Sequence, residues 1–418
     1  MLALVDCDDF YVSCERVFQP ELRRKPAVVL SNNDGCIVAR SAEAKKMGLQ
    51  MGTPYFKVRE KLKNNNVAVR SSNYTLYGDM SRRVESILEK HSPRVEKYSI
   101  DEYFLELPAA GLRDLSAYAR QLQQKIDKYL GLPVSIGIGP TKTLTKVAME
   151  IAKPPGNKPV QNSQSWSCPE EKLEEIDIDE VWGIGTAYAQ KCRRAGINNA
   201  RDLKEAPAGW LRKRLTVQGL RRKKELEGIR CIPLEEKEPK RKQIVCSRMF
   251  GRKVDDFTSL KEATVSYASR AARRLRKENL YASKIHVFVR SRRYRSEKTY
   301  KNQQAGKFKR PVRSDHRIGK KATECLDKIY SDNFSYRKSG VILSELVEDR
   351  NYQQNLLAES AGRDRKMAEL ADQINQEHGK NTLKLLGEGL EQDWSMQRSQ
   401  LSNHYTTRWN ELPTVKAG

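Results

Sequence analysis

A short apolar run at residues 2–5 opens the chain and passes at once into acidic positions. PAVVL at 26–30 reads as a second strand. Two alternating arms, 95–100 and 103–107, flank a corner at Asp101 and Glu102 with the period of half-buried strands. Helical spacing covers 80–91 and 112–130, and a further strand is expected at 133–138. Strands and helices mixed in this way predict an α+β core. The pattern breaks at Pro154, Pro155 and Gly156 and along the polar run 161–167, which marks a linker before a small helical module. In that module VWGIGTAYAQKCRRAGI (181–197) sets Gly183 and Gly185 in a helix-hairpin-helix turn whose backbone N–H groups suit a phosphate. From 242 to 347 strand-like stretches at 244–246, 284–290 and 340–343 surround a helix at 260–276, a second small α+β unit. Beyond 348 the chain turns polar through 350–365 and ends in short helical pieces with an apolar patch at 383–390.

Length sets the number of modules and charge sets the partner. Single cores stop growing at roughly 250–300 residues, so 418 residues imply several domains. The 78 Lys and Arg against 53 Asp and Glu leave a net charge of +25, which calls for a polyanion. Nucleic-acid phosphate is the commonest, because each neutralised phosphate releases a condensed counterion. An anionic membrane is disfavoured, since no apolar run approaches about 18 residues. Residues 1–5 are too short for a secretory signal, and a cytoplasmic, nucleoid-associated location is expected. Eight cysteines show no C-x-x-C pair and no His at zinc spacing, so reduced, buried thiols are expected.

The candidate chemistry lies where strands end. LVDCDDFY (4–11) carries an apolar strand directly into carboxylates, and YSIDEYFLEL (98–107) places Asp101 beside Glu102. Neighbouring carboxylates repel unless a cation lies between them. If the 95–107 hairpin pairs beside residues 2–5, Asp6, Asp101 and Glu102 form an oxygen cage for two Mg²⁺ ions about 3.5–4 Å apart, a phosphoryl-transfer site. Along SKIHVFVRSRRYRSEK (283–298), Arg290, Arg292, Arg293 and Arg295 are placed to alternate along an edge that follows a DNA backbone.

The motifs VDCDDFYVSCE (5–15), SNNDGC (31–36), AEAKKMG (42–48), NYTLY (73–77), SPRVEKYSIDEYF (92–104), GIGPTKTLTKVA (137–148) and AKPPG (152–156) resemble the Y family of DNA polymerases. In detail they resemble the UmuC-type catalytic subunits of DNA polymerase V, and the likeness runs over essentially the whole chain. The resemblance implies an error-prone, template-directed DNA polymerase of the bacterial SOS response, carrying out translesion synthesis on primer-template DNA with dNTPs. It implies a right-handed architecture: palm at 1–10 and 79–160, fingers at 11–78, helix-hairpin-helix thumb at 161–235, little finger at 236–348 and a partner-binding tail at 349–418. On matching residues it implies Asp6, Asp101 and Glu102 as metal ligands, joined by the Cys7 carbonyl. It implies Tyr11 as a steric gate against the 2′-hydroxyl, and Phe10 N–H, Lys45 and Lys153 as triphosphate contacts. Ala42 stands where relatives commonly carry Tyr, and Lys45 where they carry Arg; Arg40 or Ser41 is expected to compensate. Asp8 and Asp9 are left outside the catalytic set.

In the tail, YQQNLLAES (352–360) resembles the short peptide that docks bacterial polymerases on the sliding clamp, through Gln353, Asn355, Leu356 and Leu357. Residues 382–412 resemble the UmuC-type C-terminus, implying contacts with the processed UmuD-type dimer and the RecA filament. Two rival readings stand beside this one. A nucleotide cyclase would share a two-metal palm but needs neither thumb nor basic second unit. A non-catalytic DNA-binding scaffold would not need intact Asp6, Asp101 and Glu102.

Overall fold

The computed structural model describes residues 1–107, 114–152, 170–235, 240–291, 299–349, 359–379 and 381–414. The chain forms two compact units: Met1–Glu238 together with Ser399–Gly418, and Pro239–Arg398.

The first unit is built on a four-stranded sheet. Its strands are β1 (Leu2–Cys7), β5 (Val95–Lys97), β6 (Glu102–Glu106) and β7 (Val134–Gly139), in the order β5-β6-β1-β7. All neighbours are antiparallel. β1 is apolar without alternation because both its faces are covered. Ala3 and Val5 join the core made with α1 (Phe10–Phe18), α4 (Tyr74–Glu89) and α5 (Leu115–Leu130). Leu2 and Leu4 pack with Phe104, Leu234 and Met149, the last on α6 (Lys142–Ala152). α6 lies so close to β7 that a Cβ at Gly137 would stand 2.4 Å from the Thr145 carbonyl oxygen.

A smaller sheet joins β2 (Ala27–Leu30), β3 (Ile37–Arg40) and β4 (Ala68–Ser71), with β2 parallel to β4. Its Val28, Leu30 and Ile37 pack with Ala44 of α2 (Ala42–Lys46) and Leu62 of α3 (Tyr55–Asn64). The helical module comprises α7 (Glu170–Glu174), α8 (Thr186–Arg193), α9 (Ala200–Glu205) and α10 (Ala208–Leu226), the last interrupted at Thr216 by a φ of 67°. The buried Glu225 carboxylate accepts from the backbone N–H of Thr143 (3.0 Å), Cys231 (2.7 Å) and Ile232 (3.1 Å), tying the end of α10 to the start of α6.

In the second unit β8 (Gln243–Val254), β9 (Leu280–Arg290), β10 (Lys301–Val312) and β11 (Tyr336–Glu348) form a sheet of order β10-β9-β11-β8. Apolar residues of α11 (Phe257–Lys277) and α12 (Asp315–Asp327) pack on one face with Ile285, Val287, Val289, Val341 and Leu343. Arg276 of α11 pairs with Asp315 (2.8 Å) and with Asp372 (2.6 Å) on α13 (Glu359–Glu377). Trp394, 2% exposed, packs edge-on against Tyr267 of α11.

Several expectations are refined. β10 has no apolar spacing over its first seven residues because it is an edge strand that there alternates between exposed and half-buried; only Phe308 and Val312 further on are buried. The first arm at 95–100 is a strand only over β5, since Tyr98 and Ser99 already turn back on Glu102. Of the residues beyond 348, those up to Arg398 cluster with the second unit and those from Ser399 with the first. Among the described residues no helix is long and apolar enough to cross a membrane. The seven described cysteines are free thiols, five of them buried.

Candidate active site and nucleic-acid face

Strand register brings the acidic positions together. Asp6, the penultimate residue of β1, lies opposite Glu102 of β6 and Ser135 of β7. The Cys7 N–H donates to the Asp101 carbonyl oxygen at 2.9 Å, so the 99–102 corner is pinned to the end of β1. Ser99 holds that corner, donating to the Asp101 carboxylate and accepting from the N–H groups of Asp101 (3.2 Å) and Glu102 (3.0 Å). Burial pushes the Glu102 carboxyl up; Lys146 opposes this, and Asp6 and Asp101 reinforce it. The same negative field, after burial, raises the Cys7 thiol. The three carboxylates therefore share one electrostatic environment.

Among the described residues no three His, Cys, Asp or Glu side chains already converge at ligating distance. The donor set nonetheless suits hard divalent cations, being all carboxylate and carbonyl oxygen. A cation does face it: the Lys146 ammonium pairs with Glu102 and lies 5.1 Å from the centre of the Tyr98 ring. Lys146 escaped sequence reasoning because a single Lys on an amphipathic helix has a solvated face as its ordinary role. Only the packing of α6 against β1 and β7 shows it turned toward Glu102.

The chain then turns into α1 through Asp9, whose φ of 46° is left-handed. Helix geometry leaves the amides of the first turn without intrahelical acceptors, and the helix dipole favours an anion there. Lys45 reaches the same end, 2.5 Å from the Asp9 carboxylate. Asp8 accepts from the Ser135 hydroxyl at 2.8 Å. Of the two residues expected to compensate beside Ala42, Ser41 is engaged by its own helix and Arg40 is half-buried. Ser41 is fully buried and its hydroxyl accepts from Ala44 N–H and Ala27 N–H, capping α2, while Arg40 donates to the Leu49 carbonyl. Lys153 lies outside the described residues.

Phe10 is buried, and Tyr11 lies half-buried beside it. The Tyr11 ring stacks on Tyr77 with centroids 4.4 Å apart and planes 13° apart, and meets Tyr74 edge-on at 5.9 Å. Burial, then Tyr74 and Asp101, push the Tyr11 phenol up to about 12, so it stays neutral. This gives a rigid aromatic wall near the acidic corner.

Gly183 has a φ of 87°, and a Cβ there would strike the Arg222 guanidinium at 2.3 Å. Arg222 stacks 4.0 Å above the Trp182 ring, so this glycine has a packing reason of its own. Gly185 opens α8 at its N-cap.

In the second unit, Ile285, Val287 and Val289 face the helices, so Lys284, His286, Phe288 and Arg290 face the other way. Lys301 of β10 and Lys338 of β11 lie directly opposite Arg290, making a basic row across three strands. Arg290 and Lys338 both lie within 6 Å of the Phe288 ring centre, at 5.9 and 5.8 Å. Burial first, then Arg290 and Arg248, push the Lys338 ammonium down. Lys301 and Lys338 were not expected because pairing, not sequence spacing, aligns them. Arg292, Arg293 and Arg295 lie outside the described residues, as do Gln353, Asn355, Leu356 and Leu357.

Comparison with known proteins places this geometry. A solved Y-family DNA polymerase chimera superposes with a TM-score of 0.66 over 83% of this chain and 99% of that one, at 24% identity. The fold is therefore that of the Y-family DNA polymerases, with palm, fingers, thumb and little finger. The impB/mucB/samB family matches residues 5–150, its C-terminal domain matches 241–356, and a domain of unknown function matches 365–415. The chain is 41% identical to Protein UmuC of Salmonella typhimurium and 38% identical to Protein ImpB of Salmonella typhimurium, covering 100% of each sequence. The chain belongs to the impB/mucB/samB family, and is an enzyme: a template-directed DNA polymerase of the translesion type.

Proposed function

We propose that Asp6, Asp101 and Glu102, with the Cys7 carbonyl, are the metal-holding centre of nucleotidyl transfer from a dNTP to a primer 3′-hydroxyl. The observation that carries it is the register of β1 on β6, with Asp6 opposite Glu102 and Asp101 bonded to Cys7. Two Mg²⁺ ions bound there would activate the hydroxyl and neutralise the departing pyrophosphate. The chain's own residues do the rest. The first-turn amides of α1, at Phe10 and Tyr11, bind triphosphate oxygens, and Lys45 exchanges Asp9 for phosphate. Lys153 adds a second cation. Tyr11, backed by Tyr77, fills the space a 2′-hydroxyl would need. Lys146 shields Glu102 from Asp6 and Asp101 until the substrate complex forms.

The palm takes residues 1–10 and 79–160, the fingers 11–78, the thumb 161–235 and the little finger 236–348. The Lys301–Arg290–Lys338 row binds template-primer phosphates, with Gly183 and Gly185 of the thumb meeting another phosphate through backbone N–H groups. Magnesium-dependent primer extension tests the central assignment: Asp101→Ala should abolish it, and an active variant would remove Asp101 from the reaction.

Residues 353–357 are assigned to the sliding clamp, and the C-terminal region to a processed UmuD-type dimer and a RecA filament, in a cytoplasmic, nucleoid-associated setting. Support comes from the peptide's sequence and from the exposed Leu386, Leu390 and Trp409. Replacing Gln353, Leu356 and Leu357 by Ala should end stimulation by clamp; full stimulation would refute the docking role. Likewise Trp409→Ala with Leu386→Ala should weaken co-purification with the dimer and filament, and unchanged capture would take these residues out of that contact.

A further inference from the structure

The last part of the chain does more than offer a surface. After Arg398 the chain rejoins the first unit and lies across the ends of α1 and α4, the helices that carry Tyr11 and Tyr77. Its backbone is fixed by three hydrogen bonds at Ser399 and Gln400. Ser399 N–H donates to the Asp34 carboxylate (2.8 Å), Ser71 N–H to the Gln400 carbonyl (2.8 Å), and Gln400 N–H to the Ser71 hydroxyl (2.9 Å). Further on, the Tyr405 ring stacks on Phe18 of α1, centroids 4.9 Å apart and planes 7° apart.

Between these anchors the segment enters the core. Asn73, fully buried, caps α4 by accepting from Leu76 N–H at 3.3 Å. Its amide nitrogen donates to the Ser402 carbonyl (3.2 Å), the Ser402 hydroxyl (3.0 Å) and the Asn403 carbonyl (3.0 Å). The Ser402 hydroxyl in turn donates at 3.0 Å to the carboxylate of Glu15, a residue 1% exposed. The same Glu15 oxygen, Oε1, receives the Tyr77 hydroxyl at 2.7 Å, and Gln19 donates to Oε2 at 3.3 Å. A buried carboxylate is tolerable only with such donors around it. Burial pushes Glu15 up, and the hydrogen bonds from Tyr77 and Ser402 and the charge of Arg70 oppose it.

We propose that residues 399–405 are a positioning strap for the sugar-selecting tyrosines. Ser402, through Glu15, fixes the hydroxyl of Tyr77, and Tyr77 is the surface on which Tyr11 stacks. The strap also grips the first turn of α4 through Asn73, so both the backbone and the hydroxyl of the platform are held from the far end of the chain. Ser402 and Asn73 touch no reacting atom. They act on selectivity by limiting how far the Tyr11 ring can yield to a 2′-hydroxyl. This inference rests on the reading of Tyr11 as the gate.

The test is the ratio of kcat/KM for dNTP over rNTP in the full-length chain, with melting temperature measured alongside. Ser402→Ala leaves Oε1 with Tyr77 alone. Asn73→Asp keeps the capping oxygen and removes the amide donors. Each should lower the ratio about three- to tenfold, the net scale of one ordinary protein hydrogen bond, chiefly by raising ribonucleotide use. Ser402→Thr, which keeps the hydroxyl, should restore it. A purely structural strap would lower the melting temperature and leave the ratio alone, and that result overturns the proposal. Tyr11→Ala run in parallel separates the two claims. If it leaves the ratio unchanged, the gate reading falls and the strap with it. If it collapses the ratio while Ser402→Ala and Asn73→Asp do not, only the strap falls.

Discussion

The two four-stranded sheets of this molecule use charge in opposite ways. In the first, short strands of 3–6 residues are buried almost throughout and put Asp6 and Glu102 at strand ends. In the second, strands of 11–13 residues cover helices with one face and spread cations over the other. Chemistry on one phosphorus atom needs a few groups fixed by a packed core, and strand ends give that precision. Following a polyanion needs many modest charges, for which cross-strand alignment suffices. The like-charged pairs Lys301–Arg290 and Arg290–Lys338, directly opposite in register, cost the second sheet stability. Phosphates bound along the row, as proposed, would offset that cost.

The contrast predicts a gradation of effects. After loss of the acidic corner itself, the largest belongs to its packed wall: Tyr11→Ala should raise ribonucleotide incorporation by about 10²-fold, what an apolar wall achieves against an added hydroxyl. Unchanged sugar selectivity would take Tyr11 out of the gate. On the spread-charge sheet the expected loss is smaller and independent of sequence. Arg290→Ala with Lys338→Ala should flatten the dependence of log affinity on log salt by about 0.9 for each phosphate contact removed. A parallel weakening at every salt concentration would show that the row does not meet phosphate.

The smallest effect is in the pH profile. As a proposed metal ligand Glu102 must be ionised, and with no metal bound its carboxyl is raised by burial, then by Asp6 and Asp101, with Lys146 opposing. At limiting Mg²⁺, where protons compete with the metal for this carboxylate, activity should therefore fall as pH drops. Lys146→Ala removes the opposing charge, so at limiting Mg²⁺ the acid limb of kcat/KM should move to higher pH. A limb that stays in place or moves down would show that Lys146 does not act on Glu102.

Much of the fold and of the acidic corner is legible in the chain's own pattern, and the reason is local. Residues 4–11 and 98–107 carry both the strand period and the carboxylates, so Asp6, Asp101 and Glu102 follow from one assumption about pairing, which the register of β1 on β6 meets. Motif resemblance identified the family for the same reason, because its signatures are short and contiguous. What stayed hidden depends on contacts between distant parts of the chain. Lys146 meets Glu102 across 44 positions, and Ser402 meets Glu15 across 387. The polar edge strand β10 has no apolar period to announce it, so the row through Lys301 was invisible as well. Ser41 shows the converse: a residue at a plausible place for phosphate is committed to capping its own helix.

The central claim is that the Asp6, Asp101 and Glu102 corner performs nucleotidyl transfer, and single-turnover primer extension addresses it most directly. Wild type and Asp101→Ala would be compared with Mg²⁺ on undamaged and abasic templates, with processed UmuD-type dimer and RecA filament supplied. The account predicts extension past the lesion by wild type and a loss of at least about 10³-fold in the variant, the scale of removing a group that stabilises developing charge. Equal extension by the two proteins, or none by wild type with every partner present, would contradict it.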